Sequence, residues 1–278
     1  MFKHVFGPVP SRRLGVSLGV DMVVPKSCNM NCVFCECGAT KKLTLKRESF
    51  KDVEEIKNEI QEVLKSVKPD YITFSGSGEP TLSKDIGEVI EWIKENTDVK
   101  VCVITNGLLL KDDKVVEDIK NADLIIPTLN SIDNLIFKKI NRPSVESDVS
   151  QLMEGLKNLS EKYSGEIYVE TFIIEGLNDS DEHTQKMIEF LKNIKFSKLQ
   201  LNTLDRPGTE IWVKPASQKT LKRIKERYNR NGIMNVEIVG EMKELEKKIE
   251  LNAELVKNME EKRKYSEKEL EKIYKIEK

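Results

Sequence analysis

The run CNMNCVFCEC at positions 28–37 places four of the chain's five cysteines within ten residues. Thiols at this density serve as disulfide partners, zinc ligands, iron–sulfur ligands or small buried hydrophobes, and each use predicts different neighbours. Cys28, Cys32 and Cys35 are spaced C-x3-C-x2-C. One short loop thus offers three thiolates to three irons of a [4Fe–4S] cube and leaves the fourth iron open to a chelating small molecule. Zinc takes four ligands, usually as two separated pairs. The chain supplies no second cysteine pair, and its only histidines are His4 and His183. Cys37, two residues after Cys35, makes a strained bite as a fourth ligand. Four thiols packed as hydrophobes in one polar loop is the weakest account. Cys28, Cys32 and Cys35 are therefore expected to hold a cluster, and Cys102, mid-strand in VKVCVIT, to be a buried small hydrophobe.

The elements that must position this loop alternate along the chain. Strand candidates lie at 15–24, 70–76, 99–107, 123–130, 166–174 and 198–204. Between them, apolar residues recur three and four apart, as in Val53, Ile56, Ile60, Val63, Leu64 and Val67, with further helices at 86–96, 133–140, 149–162 and 182–194. Apolar strands alternating with helices imply a parallel sheet covered by helices. Six such repeats without a dinucleotide-binding glycine pattern predict an α/β fold of the partial (β/α)6 TIM-type barrel kind, with its chemistry at the carboxyl ends of the strands. The unusual motifs fall at those ends. The cysteine run follows the first strand, SGSGEP (75–80) the second, TNG (105–107) the third, TLNS (128–131) the fourth, EGLNDSD (175–181) the fifth and LNTLDRPG (201–208) the sixth.

After residue 240 the composition changes to Glu, Lys and helix formers. Residues 1–240 are expected to form the core and 241–278 a helical extension, with Leu245, Ile249, Val256 and Met259 as a thin apolar seam. Ser266 followed by Glu269 reads as a capping box. A hairpin packed on the barrel is favoured over a degenerate helix-turn-helix. The chain has 46 Lys and Arg against 47 Asp and Glu, so net charge gives no support to a nucleic-acid or membrane partner. No secretory signal opens the sequence and no apolar run approaches a bilayer span. The expected location is cytoplasmic, where reduced thiols favour metal over disulfides.

The cysteine spacing, together with Phe34 beside the last ligand, resembles the radical S-adenosylmethionine (SAM) superfamily. The segments GPVPSRRLGVSLGVD, ITFSGSGEPTL, KKINRP and LQLNTLDRPG are similar to small radical SAM proteins related to the wyosine-forming tRNA enzymes. The resemblance implies a [4Fe–4S] cluster whose open iron is chelated by the amino and carboxylate groups of SAM. It also implies reductive cleavage to a 5′-deoxyadenosyl radical, and hydrogen abstraction from a substrate above the barrel. An electron donor of the flavodoxin or ferredoxin type follows. The substrate stays open among small molecules, nucleic acids and peptides. Wyosine-type tRNA modification is one alternative, although no cysteine precedes Cys28 to build that enzyme's second cluster. A non-catalytic electron carrier or regulator is the other, and it has no need of a SAM cradle.

By the same resemblance Phe34 lies against the adenine. SGSGEP occupies the superfamily's Gly-Gly-Glu position, so Gly76, Ser77, Gly78 and Glu79 are expected at the methionine moiety. Thr105, Asn106, Thr128 and Asn130 can reach ribose hydroxyls or the SAM carboxylate, or act only as turn residues. Arg142, before Pro143, is a candidate for the SAM carboxylate. Arg12, Arg13 and Arg206 suit an anionic substrate. Glu170, a carboxylate in an apolar strand, needs a partner and is a candidate for substrate or ribose contact.

Overall fold

The computed structural model describes residues 2–240, 249–250, 256–257, 259–260, 270–272 and 274–275. In chain order the first strands are β1 (Val5–Ser11), β2 (Gly15–Val20), β3 (Ser27–Cys28) and β4 (Lys42–Leu43). They are followed by α1 (Val53–Leu64), β5 (Tyr71–Phe74), α2 (Ile86–Asn96), β6 (Lys100–Thr105), α3 (Asp113–Ile119) and β7 (Leu124–Pro127). The core closes with α4 (Asn134–Asn141), α5 (Val149–Lys162), β8 (Glu166–Phe172), α6 (Asp181–Leu191), β9 (Lys198–Asn202), α7 (Gln218–Arg230) and β10 (Val236–Ile238).

One sheet takes the order β1-β2-β5-β6-β7-β8-β9-β10. The six expected strands are all present, each shorter than its sequence window and parallel to the next. Two strands of this sheet escaped the sequence reading, as did the short strands β3 and β4 and helices α3 and α7. Strand β10 adds in parallel to β9. Strand β1 pairs antiparallel with β2 as a hairpin. Its short VFGPVPS run, interrupted by glycine and two prolines, carries little alternation by which to read it. No ladder among the described residues joins β1 to β10, so the barrel is partial.

The covering helices follow from sequence. Asp52 caps α1 by accepting from the Glu55 amide at 3.0 Å, and Asp112, Asp133, Asp148, Ser180 and Ser217 cap α3 to α7 in the same way. Ile56, Ile60 and Val63 form the buried stripe of α1. Strand β7 is buried at every position, as a parallel strand between helices and barrel interior must be. Cys102 is buried with Leu14, Leu124 and Ile126, and burial pushes its thiol far up. It is a core residue.

Beyond Gly240, β11 (Ile249–Glu250) and β12 (Tyr274–Lys275) pair in parallel, and residues 256–257, 259–260 and 270–271 are helical. Leu245 and the Ser266–Glu269 capping box lie outside the described residues. Met259 and Tyr274 are fully buried against Phe6 and Val9 of β1. The Tyr274 hydroxyl donates to the Pro8 carbonyl at 3.4 Å. Burying two such side chains contributes about 3–6 kcal/mol before chain entropy is subtracted. A chain ending at Gly240 should therefore stay folded but melt on the order of 5–10 °C lower. Thermal unfolding followed by circular dichroism checks this, and an unchanged melting temperature would mean that the contact on β1 contributes nothing.

Candidate functional site

Between β3, which ends at Cys28, and β4 the cysteine loop has no regular structure, so its backbone must find partners elsewhere. Its neck is closed where Lys41 and Lys42 donate to the Lys26 carbonyl at 3.0 Å and Thr44 donates to the Cys28 carbonyl at 2.9 Å. Inside it, the Thr40 hydroxyl donates to the Met30 carbonyl at 2.7 Å and the Thr40 amide to Asn31 Oδ1 at 2.9 Å. On one side stands the carboxyl end of α4, whose last carbonyls have no partner within the helix. Asn31 donates to the Asn141 and Arg142 carbonyls, and Val33 to the Ile140 carbonyl at 3.0 Å. Arg142 itself is left-handed, with φ of 44°, and ends the helix there.

On the other side stands the loop after β5. Lys26 donates to the Ser77 carbonyl at 3.0 Å, and Glu79 donates to the Ser27 carbonyl at 3.1 Å. A Cβ on Gly78 would lie 1.9 Å from that same Ser27 oxygen. Whatever it offers SAM, this glycine is required where it stands, because its missing side chain admits the backbone that leads into Cys28. Gly76 adopts φ of 134°, which favours glycine, and a Cβ there would meet the Asp21 carboxylate at 2.7 Å. Asp21 accepts from the Ser77 hydroxyl at 2.7 Å, so that hydroxyl points inward.

Side-chain amides surround the sulfurs. Asn106 Nδ2 donates to Cys28 Sγ at 3.6 Å, and Asn141 Nδ2 to Cys32 Sγ at 3.5 Å. Asn29 is fully buried, its Oδ1 accepts from Asn106, and its Nδ2 has no partner among the described residues. Burial, then Glu79, pushes the Cys28 thiol up to about 12; burial, then Cys28, pushes Cys32 further. Cys35 shifts down because Cys37 hydrogen-bonds to it. The Cys37 thiol also donates to the Gly76 carbonyl at 3.2 Å. Thiols so costly to ionise alone, ringed by amide donors including one without an acceptor, fit an iron–sulfur cluster that supplies both positive charge and sulfide acceptors. No three His, Cys, Asp or Glu side chains among the described residues converge on one ion-sized point. A cube offers its irons to thiolates at separate corners and does not require such convergence.

Glu79 is buried and accepts four hydrogen bonds: from the Thr81 amide and hydroxyl, the Thr105 hydroxyl, and the Asn106 amide at 2.8 Å. Burial still raises its pKa against those donors. It joins the end of β5 to the end of β6, and so places Asn106 beside Cys28. Asn130 is equally engaged. Its Oδ1 accepts from the Phe172 amide at 2.8 Å and its Nδ2 donates to Asn141 at 3.4 Å, behind Cys32. Thr128 is half-buried and held through its backbone to Thr105 and Glu170. Phe34 stacks on Phe172 with centroids 4.1 Å apart.

The arginines are mostly paired. Arg142 bonds Glu210 at 2.5 Å, and Arg206 meets Glu36 at 3.3 Å and Asp205 at 3.7 Å. Arg13 and Glu170, read separately from sequence, form a buried ion pair with each other, and Asn202 Nδ2 adds a bond to Glu170 at 3.1 Å. Arg12 and Arg13 lie in the β1–β2 turn, at the amino ends of the parallel strands rather than at the carboxyl rim. Sequence reading passed over Asn29, Asn141, Asp21 and Phe172. Asn29, adjoining Cys28, Asn141, inside KKINRP, and Asp21, which ends GPVPSRRLGVSLGVD, sat within motifs already singled out; Phe172 carried no local signal.

The model of the radical SAM superfamily matches residues 22–191. A UPF0026 protein of Methanocaldococcus jannaschii is 35% identical over 241 residues, covering 86% of this chain and 73% of that protein. A Brachyspira hyodysenteriae protein named GTPase Obg is 37% identical over 237 residues, but this chain spans only 35% of its length. Among solved structures, TYW1 with a lysine-pyruvate adduct aligns with a TM-score of 0.60 at 19% identity, covering 77% of this chain and 73% of that one. Streptococcus suis SuiB bound to S-adenosylmethionine aligns with a TM-score of 0.60 at 15% identity, over 82% and 51%. These two likenesses concern the fold. With the cysteine loop at the carboxyl end of β2 and the family match across it, the chain belongs to the radical SAM superfamily.

Proposed function

We propose that this radical SAM enzyme holds a [4Fe–4S] cluster on Cys28, Cys32 and Cys35 and binds SAM between the cysteine loop and the ends of β5, β6 and β7. Cluster and SAM, when bound, supply reductive cleavage to a 5′-deoxyadenosyl radical that abstracts hydrogen from substrate. The observation that carries the assignment is the three-thiol loop fixed on both sides by backbone bonds, with Asn106 and Asn141 at two of its sulfurs. Phe34, backed by Phe172, offers its other face to the adenine. The Glu79 oxygen that accepts only from Asn106 keeps a lone pair for the SAM ammonium. Gly76 and Ser77 line that approach through backbone groups. Thr105, Thr128 and Asn130 act by holding their neighbours. Arg142 reaches the SAM carboxylate only by leaving Glu210.

The electron donor is read as a flavodoxin or ferredoxin. No helix among the described residues is long and apolar enough to cross a membrane. Wyosine-type chemistry rests on the fold shared with TYW1 and on motif likeness, and no residue of the site singles it out.

Anaerobically reconstituted protein should yield 5′-deoxyadenosine from SAM with dithionite, and SAM should change the reduced cluster's EPR signal. Neither result would be compatible with a plain electron carrier, and the absence of both would refute the enzyme reading. Replacing Cys28, Cys32 or Cys35 by Ala should abolish binding of about four irons, whereas Cys37→Ala and Cys102→Ala should keep it. Loss of iron in Cys37→Ala alone would contradict the open-iron arrangement.

Gly78→Val should damage cluster and SAM binding together, because the new side chain displaces the Ser27 carbonyl. A Gly78→Val protein that keeps its brown chromophore and loses only SAM would show that the backbone contact is not decisive. Asn106→Ala and Asn141→Ala should each make the cluster harder to reduce. Removing an N–H···S bond should lower the midpoint potential by tens of millivolts, on the order of one weak hydrogen bond. Redox titration followed by EPR reads this directly, with an unmoved potential counting against the amide contacts.

A further inference from the structure

A cavity of about 180 Å³ runs along the inner face of the β1–β2 hairpin up to Gly76 and Cys37. That is room for a small molecule and not only for a single water. Among the described residues its wall contains Arg12, Arg13 and Arg206 and no carboxylate. Two of these guanidinium groups are already answered from behind, Arg13 by Glu170 and Arg206 by Glu36 and Asp205. Arg12 differs. It is half-buried, and no hydrogen bond or ion pair is made by its side chain among the described residues. Burial lowers its pKa, with Asp205 acting in the opposite direction, but a guanidinium remains charged. Five donors in one planar fork thus stand at a cavity wall without an acceptor.

Ser75 lines the same cavity, and its hydroxyl has no protein partner among the described residues. Ser17 and Thr73, also in the wall, bond each other at 2.6 Å. The cavity ends at Gly76 and Cys37, which flank the cysteine loop, so a molecule inside it adjoins the proposed SAM site.

The geometry points to a small substrate bearing one carboxylate, bound bidentately by Arg12 with Ser75 donating to it. Among the described residues Arg12 feels Asp205, Glu36 and Glu170 only at a distance, so one directly bonded negative charge is what its guanidinium lacks. A phosphate dianion would bring a second charge into a wall already backed by Glu170, Glu36 and Asp205, where it would be buried without compensation. The assignment deepens the enzyme reading above by giving its substrate a chemical class, but the binding event does not depend on SAM cleavage.

Three probes of six non-hydrogen atoms separate the possibilities: lactate, its neutral isostere lactamide, and methyl phosphate. Ligand-observed NMR on the anaerobically reconstituted full-length protein with SAM should show lactate binding, with lactamide and methyl phosphate at least tenfold weaker. Arg12→Gln should weaken lactate tenfold or more, as loss of a charge-assisted pair does, and Arg12→Lys should restore part of it. Lactamide binding as tightly as lactate, methyl phosphate binding tighter, or Arg12→Gln leaving lactate unchanged would each overturn the assignment. The wild-type comparison of the three probes stands even if a variant misfolds. If SAM changes the wild-type EPR signal but no carboxylate binds, the cavity assignment fails alone. If carboxylate binds but SAM changes nothing, the enzyme reading fails alone.

Discussion

The loop that gathers Cys28, Cys32 and Cys35 leaves regular structure at the end of β3, so most of its backbone must be satisfied from outside. Here that need is met by two surfaces that expose unpaired backbone groups of their own. The end of α4 offers carbonyls because a helix leaves its last turn unbonded. The β5 loop offers the Ser77 carbonyl and the Glu79 amide because Gly76 and Gly78 let it pass within bonding distance of Lys26 and Ser27. The rest of the site hangs on this arrangement. Glu79 fixes Asn106 at Cys28, and Asn130 fixes Asn141 at Cys32. Residues that resemble direct cofactor contacts in sequence are therefore doing part of their work one step removed.

The same arrangement explains why the site tolerates so much buried polarity. Asp21, Glu79 and Glu170 are nearly inaccessible, which on its own is costly. Each has its answer close by. Asp21 takes the Ser77 hydroxyl, Glu79 takes four donors from the turn after β5 and the end of β6, and Glu170 takes Arg13 and Asn202. For Cys28, Cys32 and Glu79 burial still outweighs the donors around them and raises all three. A site that keeps two buried thiols and a buried carboxylate so close together is one arranged around an added positive charge.

Much of this was legible in the residues. The C-x3-C-x2-C run that marks the family, the six parallel strands and the gathering of polar motifs at one rim follow from spacing and periodicity, which are local properties of the chain. What was not legible depends on contacts between distant segments. Arg13 and Glu170 are 157 residues apart, and nothing near either one names the other. The steric need for Gly78 was hidden because the conflict that forbids a side chain comes from Ser27, fifty-one positions earlier in the chain. Strand β1 was missed for a different reason: with glycine and two prolines in seven residues it has little propensity, and pairing with β2 and cover from Met259 and Tyr274 hold it in place.

That hairpin changes how the partial barrel works. A sheet that stops short of closure leaves an edge and an open interior, and an unprotected edge invites pairing with other chains. Strand β1 runs antiparallel at that edge, its outer side meets Met259 and Tyr274, and its turn sends Arg13 across to β8 and Arg12 to the cavity wall. One element thus covers the edge, braces the far strands through a buried ion pair, and places two guanidinium groups, those of Arg12 and Arg13, in the wall of the cavity beside the cysteine loop.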